Sequence, residues 1–311
     1  MTKACLIIVF NHRYDKNIPV IEKIYQNRFS AIYFLVPFYN GSHPNVIPVY
    51  ESSNYFQSFF AQGFHRFFKE EFTHYLFVGD DCILNPAIDE TNLYEKTGLK
   101  PGADFIPGLF TQDSITEGGW WHAPKGIEFF TNRRGAEIAR ELPSREEALR
   151  RFQHHKLEIA PLTAKNIFGN KKLNGLSWWQ SPLYKQFFLK VKWKQYRKNG
   201  KIELPYPVAA SYADVLIITK EIIAEFCRYC GIMAAAGLFV EIAIPTALVL
   251  LSKKIMQENE LLLSGKALWK PSEIEEVENN FGKSLARLMK EFPRNQLHYH
   301  PIKLSRWNND L

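Results

Sequence analysis

The seven residues Ala4–Phe10 form an unbroken apolar run rich in β-branched side chains, and this run limits the folds open to the chain. A strand that is apolar on both faces has to be covered on both faces, which is typical of a parallel sheet flanked by helices. The run ends at the polar loop Asn11–Arg13. The first residues therefore predict an α/β fold built on a mostly parallel sheet.

The next seventy residues repeat this alternation of apolar strand and amphipathic helix. Apolar residues at helical spacing predict helices, and short apolar runs predict strands, over Ile18–Tyr25, Ala31–Val36, Val46–Val49, Phe56–Phe68 and Tyr75–Val78. The order β-α-β-β-α-β is that of a doubly wound half-domain, whose ligand crevice lies at the carboxyl ends of the strands. Further along, a single amphipathic helix is predicted from about Pro271 to Phe292.

Composition limits the class of protein and its partners. Of 311 residues, 46% are hydrophobic and 23% are charged, which excludes a disordered or low-complexity chain. Lys and Arg exceed Asp and Glu by 39 − 32 = 7, which favours a phosphate-bearing ligand or an anionic membrane surface. Interleaved aromatic and basic residues of the kind that bind RNA are confined to one short segment, so nucleic acid is not the expected partner.

Cysteine usage and the apolar segments indicate the compartment. The four cysteines are too few for a secreted disulfide framework, and the Cys227–Cys230 pair has no second pair to complete a zinc site, so buried reduced thiols are expected. No signal peptide is recognised near Met1, and Glu241 and Pro245 interrupt the longest apolar run, Gly231–Leu251. We expect a cytoplasmic protein that does not span a membrane.

The acid pair Asp80–Asp81 is the most informative feature for function. It directly follows a buried strand, on the edge of the sheet that also carries Asn11. Two adjacent carboxylates repel unless a cation or hydrogen-bond donors lie between them, and Mg²⁺ or Mn²⁺ takes such oxygens together with a substrate diphosphate. The alternative is a turn acid that caps the next element.

These residues resemble the GT-A type of nucleotide-sugar glycosyltransferase. The resemblance rests on Leu6–Asn11, on Tyr75–Leu84 with its double-acid form of the DxD-type motif, and on Leu238–Glu241. It implies a Rossmann-like single domain with loop insertions and a divalent metal, Mn or Mg. Asp81 would then bind the metal, while Asp80 and Asn11 would contact the donor.

Two further site residues come from the same resemblance. In several families of this fold a histidine near the C-terminus completes the metal site, so His298 or, preferably, His300 would meet Asp81. In inverting members a carboxylate at the start of a late helix deprotonates the acceptor hydroxyl, and Glu241 fits that position. The alternative for Glu241 is a first-turn glutamate that satisfies free helix N–H groups.

Two loops and one predicted hairpin suggest contacts with larger partners. Exposed aromatic faces stack on sugar rings, and paired tryptophans lie in polar loops at Trp120, Trp121, Trp178 and Trp179. The alternating segment 189–194 precedes the turn Asn199–Gly200 and predicts a hairpin with one basic face, formed by Lys190, Lys192 and Lys194. That face would attract anionic lipid at the inner face of a membrane. The alternative is a lysine-edged strand that only protects a sheet edge from aggregation.

The sequence thus predicts a glycosyltransferase that moves a sugar from a nucleotide donor to a hydroxyl of a glycan. Residues 1–110 would form the nucleotide-sugar-binding half, residues 111–250 the acceptor-binding and catalytic half, and residues 251–311 a C-terminal helix and tail. One alternative is a nucleotidyltransferase, although the loop Asn11–Tyr14 lacks the glycine that a phosphate-binding loop needs. The other is a non-catalytic protein that binds glycans or nucleic acid.

Overall fold

A computed structural model describes residues 2–111, 113, 140–162, 200–201 and 203–311 of the chain. Its residues group into two compact units. The first comprises residues 1–108, 212–227 and 252–311, and the second comprises residues 109–211 and 228–251. Because each unit collects separate stretches of chain, the three consecutive parts expected from the sequence stay a prediction.

The first unit is built on a seven-stranded sheet. Across the sheet the strands are β10 (Ile255–Met256), β6 (Asp104–Phe105), β9 (Val215–Thr219), β4 (His74–Gly79), β1 (Ala4–Val9), β2 (Ile32–Pro37) and β3 (Val46–Val49). Four of the six pairings are parallel, and β9 runs antiparallel to both of its neighbours. The predicted α/β class and mostly parallel sheet are confirmed.

Helices cover both faces of this sheet, as the apolar strand requires. All six residues of β1 are buried, and alternate ones join a core with α1 (Ile18–Tyr25) and the C-terminal segment around Trp307. On the other face, α2 (Gln57–Phe67) packs Phe60 against Phe77 with ring centroids 4.3 Å apart. Phe226 of α5 (Lys220–Ala235) stacks on Phe60. Phe59, Phe60 and Phe67 of α2 are buried, so this face of the helix belongs to the core.

A second, three-stranded sheet in the same unit brings the C-terminal part of the chain close to the end of β4. Its order is β11 (Ser264–Ala267), β12 (Gln296–His300) and β5 (Ile83–Leu84), and the short helix α3 (Leu93–Thr97) follows β5 in the chain. In β12 the residues His298 and Tyr299 pair with Leu84 and Ile83, in antiparallel register.

The single helix predicted over Pro271–Phe292 is wrong. The chain forms α7 (Pro271–Asn280) and α8 (Leu285–Lys290), separated by a turn in which Gly282 and Lys283 have φ angles of +59° and +51°. Left-handed backbone ends a helix, and the Ser284 side chain then accepts the Arg287 N–H to start the next one.

The second unit holds the strands β7 (Phe110–Thr111) and β8 (Ala209–Ala210), which pair antiparallel, and the helices α4 (Arg145–His154) and α6 (Val240–Leu251). Helix α6 is buried along most of its length despite Pro245. Its Thr246 hydroxyl accepts the Ala209 N–H at 3.0 Å, which ties α6 to β8. Within the described ranges, no helix is long and apolar enough to cross a membrane.

We expect His74 to make the fold sensitive to acid. This buried residue of β4 has an Nε2 atom without a hydrogen-bond partner among the described residues, and burial lowers its pKa to about 4. The unfolded chain, with an ordinary histidine pKa near ~6.5, takes up the proton first, so stability is lost as pH falls from ~6.5 toward ~4.

Replacing His74 by Met should remove about 2 kcal/mol of the difference in unfolding free energy between roughly pH 7 and pH 4.5. Urea unfolding at both pH values measures this difference. The matched control is His65→Met on the exposed surface of α2, which should keep the dependence of the wild type. An unchanged dependence in the His74 variant would show that this imidazole is not the group responsible.

Candidate functional site

The ends of three strands bring polar residues together at one edge of the large sheet. Strands β1 and β4 are parallel with Val9 opposite Gly79, so Asn11 and Asp80 emerge at the same edge. The Asp80 N–H donates to the Val9 carbonyl at 3.0 Å. Strand β9 runs the other way and starts here, and the Gly79 N–H donates to the carbonyl of Asp214 at 3.1 Å.

The C-terminal strand β12 adds a histidine to this edge. Just beyond β12, the Ile302 N–H donates to the Asp81 carbonyl at 2.7 Å. His300 Nε2 lies 3.2 Å from Asp81 Oδ1, and His300 Nδ1 lies 3.4 Å from Asp214 Oδ2. The imidazole is thus held between two carboxylates, one facing each ring nitrogen.

Burial and a neighbouring like charge make Asp80 an unusually weak acid. Its side chain is only 4% exposed, and burial together with the neighbouring Asp81 carboxylate raises its pKa to about 7. The Asn11 backbone N–H donates to the Asp80 carboxyl group and partly offsets this effect. Burial opposes a charge on His300, but Asp81 and Asp214 outweigh it and raise the pKa of this imidazole. The cluster therefore has an excess of negative charge to balance.

The donor atoms of the cluster fit a divalent cation that is completed by a ligand. Asp81 Oδ1 and His300 Nδ1 are buried and have no hydrogen-bond partner of good geometry in the part of the chain that the structure describes. Among the residues that the structure describes, no group of three or more His, Cys, Asp or Glu side chains is arranged to hold a metal ion. Asp81 and His300 could supply two ligands, and Mg²⁺ commonly takes few protein ligands together with substrate phosphates.

No family model and no curated protein sequence matches the chain. The function therefore has to be inferred from the chemistry of the site itself.

The expected meeting of a C-terminal histidine with Asp81 involves His300. His298, two residues earlier, is a buried histidine whose pKa burial lowers to about 3. Its ring lies over Gly265, where a Cβ atom would be 2.4 Å from His298 Cε1, so the glycine makes room for it. Asn11, Asp80, Asp81 and His300 are brought together as the sequence indicated, while the metal and donor roles assigned to them stay predictions.

Glu241 belongs to the second unit. It lies in the first turn of α6, is half-buried, and its backbone carbonyl accepts the Ser211 N–H at 3.0 Å. A first-turn position is compatible with a catalytic base and also with a glutamate that satisfies free helix N–H groups. The role of Glu241 therefore stays a prediction. Cys227 and Cys230 are buried free thiols, as expected.

Several predicted contacts lie outside the described residues. These are the four tryptophans Trp120, Trp121, Trp178 and Trp179, and the lysines Lys190, Lys192 and Lys194. Their contacts with an acceptor or a membrane stay predictions.

The structure adds an aromatic rim that sequence reasoning missed. Phe38 directly follows β2 and Tyr50 directly follows β3, at the same edge as Asn11 and Asp80. Their side chains are 57% and 64% exposed, and the rings meet edge to face with centroids 6.1 Å apart. Phe38 has a φ of +54°, which is rare for a bulky residue and is often found at functional sites. The sequence signal was an aromatic residue next to each strand end.

The raised pKa of Asp80 can be tested without knowing the ligand. With chelator present, its carboxyl group should titrate near pH 7, and Asp81→Asn should lower that pKa because a neighbouring negative charge is removed. Carboxyl ¹³C NMR of aspartate-labelled protein reads the titration directly. Asp310→Asn, at an exposed position, is the control and should leave it unchanged. An Asp80 signal that titrates near pH 4 in the unmodified protein would contradict the expectation.

Proposed function

We propose that the chain is a GT-A type glycosyltransferase that transfers a sugar from a nucleotide donor to a hydroxyl group of a glycan. The observation that carries the proposal is the acid pair at the carboxyl end of β4 with His300 held 3.2 Å from Asp81. Ligands of α/β sheets bind at this edge, outside the carboxyl ends of the strands. Buried acids at such an edge need a cation or a bound ligand to balance their charge.

The residues of the cluster divide between metal and donor. Asp81 and His300 would hold Mn²⁺ or Mg²⁺, and the bound cation would neutralise the diphosphate as it leaves the sugar. Asp80 and Asn11 would contact the donor. A protonated Asp80 can donate a hydrogen bond to a sugar or ribose oxygen, whereas an ionised one can accept from a hydroxyl group. A pKa of about 7 makes both forms available near neutral pH.

The aromatic rim supports a nucleotide as the activated part of the donor. The strands run in the order β4, β1, β2, β3, so at ~4.8 Å per strand the ends of β2 and β3 are about 10 and 15 Å from that of β4. An extended nucleotide with its diphosphate beside Asp81 could reach this rim. Stacking of a base on an aromatic side chain contributes ~1–3 kcal/mol. Phe38 and Tyr50 are the exposed rings for such a contact.

Glu241 is our candidate for the base of an inverting reaction. Its side chain is half-buried in the first turn of α6. It would take the proton of the acceptor hydroxyl as that oxygen attacks the anomeric carbon. The tryptophan pairs would bind the glycan acceptor, and the lysine-rich segment would hold a cytoplasmic protein at the inner face of a membrane.

A non-catalytic binding protein is the second candidate, favoured by the exposed rings of Phe38 and Tyr50. Such a protein would bind its ligand without a metal and would release no nucleoside diphosphate from a nucleotide sugar. The next two experiments separate it from the enzyme.

Nucleoside diphosphate binding should require a divalent metal, and Asp81→Ala should abolish it. The reason is that the metal would relieve the repulsion between the acid cluster and the diphosphate. Calorimetry with a panel of nucleoside diphosphates, with Mn²⁺ or with chelator, tests this. Asp310→Ala, at an exposed position, is the control and should bind like the wild type. Affinity that is equal in chelator would remove the metal from the proposal.

The variant Glu241→Gln should keep the fold and donor binding but lower turnover ~100-fold or more, the scale for loss of a general base. Gln is nearly isosteric and still accepts hydrogen bonds, so a purely structural role would survive. Release of nucleoside diphosphate in the presence of acceptor measures turnover. The control Glu158→Gln changes an exposed carboxylate of the same unit and should have no effect. Turnover within a few-fold of the wild type would place the base elsewhere.

A further inference from the structure

The carboxylate of Asp214 lies on the side of His300 that faces away from Asp81. We propose that Asp214 is a positioning residue that fixes the ring and tautomer of His300, so that Nε2 is free to bind the divalent cation. This inference rests on the metal site of the proposed function. It assigns Asp214 a task that neither the acid pair nor the acceptor base performs.

The backbone holds Asp214 in a fixed place relative to the acid pair. Its carbonyl accepts the Gly79 N–H at 3.1 Å, one residue before Asp80, and β9 begins at the next residue. Its side chain is only 22% exposed, and Oδ2 is 3.4 Å from His300 Nδ1. The carboxylate therefore belongs to a hydrogen-bonded strand end and lies close to the ring.

The ring itself is held from both sides. Asp81 faces Nε2 at 3.2 Å and the carboxylate of Asp214 faces Nδ1. Nδ1 is buried and has no hydrogen-bond partner of good geometry among the described residues. A small rotation of the imidazole would convert the 3.4 Å contact into an Nδ1–H···Oδ2 hydrogen bond.

The chemistry of imidazole explains why this contact matters. A histidine binds a metal through a ring nitrogen that carries no proton, and the other nitrogen then carries the proton and needs an acceptor. With Nε2 turned toward Asp81 and the cation, the proton must be on Nδ1, where the Asp214 carboxylate can accept it. Without that acceptor, a buried N–H group would be left unsatisfied each time the metal binds.

The same geometry argues against Asp214 as a metal ligand. The two nitrogens of an imidazole point away from each other, so a cation at Nε2 is separated from a carboxylate at Nδ1 by the ring. Asp81 and Asp214 therefore have different tasks although both contact His300. Removal of a residue that orients a metal ligand in this way weakens metal binding ~10- to 100-fold.

The first test measures Mn²⁺ affinity by the electron paramagnetic resonance of free Mn²⁺, with a nucleoside diphosphate present. Asp214→Ala should weaken binding ~10- to 100-fold. Asp214→Asn should restore most of the loss, because its amide oxygen still accepts the Nδ1 proton. The control is Glu258→Gln, which changes a partly buried carboxylate that lies close to Gly265, beside His298, and should bind Mn²⁺ like the wild type.

A second measurement needs no substitution at Asp214. In the wild-type protein loaded with Mg²⁺ and a nucleoside diphosphate, ¹H–¹⁵N NMR should show a His300 Nδ1 proton shifted downfield by a hydrogen bond to the Asp214 carboxylate, with the signal identified by its absence in His300→Gln. Binding of the cation at Nε2 alone already puts the proton on Nδ1, so the downfield shift of that proton, and not the tautomer, reports the contact with Asp214. The measurement therefore decides the question even if Asp214→Ala fails to fold.

The outcomes separate this inference from the proposed function. If the wild type binds Mn²⁺ and Asp214→Ala binds it equally well, or if the Nδ1 proton of the loaded ring shows no hydrogen-bonded shift, the positioning role is overturned and the metal site stands. If the wild type does not bind Mn²⁺ with any nucleoside diphosphate, both are overturned. Weaker binding in Asp214→Ala, recovery in Asp214→Asn and a hydrogen-bonded Nδ1 proton support the inference.

Discussion

Burial of β1 and β4 on both faces is the constraint on which the rest of the first unit depends. Every residue of β1 is buried, and only Gly79, the last residue of β4, is partly exposed. A strand in this environment cannot slip in register, because a shift by one residue would exchange its two packed faces. The residues that follow these strands, Asn11 and Asp80, are therefore held in fixed positions. Polar chemistry at this edge depends on apolar packing behind it.

The buried carboxylates of the cluster impose the second constraint, because their mutual repulsion lowers the stability of the fold. Burial and the Asp81 carboxylate make ionisation of Asp80 unfavourable, as its raised pKa indicates. His300 offsets part of this cost because it faces two carboxylates at once. Clusters of this kind are typical of functional sites, where acids are kept close together to bind a ligand. Packing in the surrounding fold offsets the resulting loss of stability.

The sequence predicted what depends on local pattern. The alternation of apolar runs and helical spacing gave the strand and helix order up to Val78, and Asp80–Asp81 was correctly expected at a strand end. His298 and His300 were both candidates for the contact with Asp81, with His300 preferred, but which of them makes it depends on the pairing of β12 with β5. That pairing joins distant parts of the chain and has no local signal.

Other features had no adequate signal in the sequence. The break between α7 and α8 uses left-handed backbone at Gly282 and at Lys283, and lysine does not favour that conformation. Phe38 also has left-handed backbone, which a bulky residue does not favour. Asp214 is a single acid that directly precedes a strand. Only the three-dimensional structure places it next to an imidazole from the C-terminal part of the chain.

The attachment of β12 beside Asp81 has a consequence for biosynthesis. Ile302 binds the Asp81 carbonyl, and His300 contacts a residue made 300 − 81 = 219 positions earlier. At ~5–20 residues per second, a ribosome needs roughly 10 to 45 s to add that length of chain. Throughout this interval the nascent sheet carries its acid pair without the histidine that balances it. The chain can begin to fold early, but its site is chemically complete only when translation has passed His300.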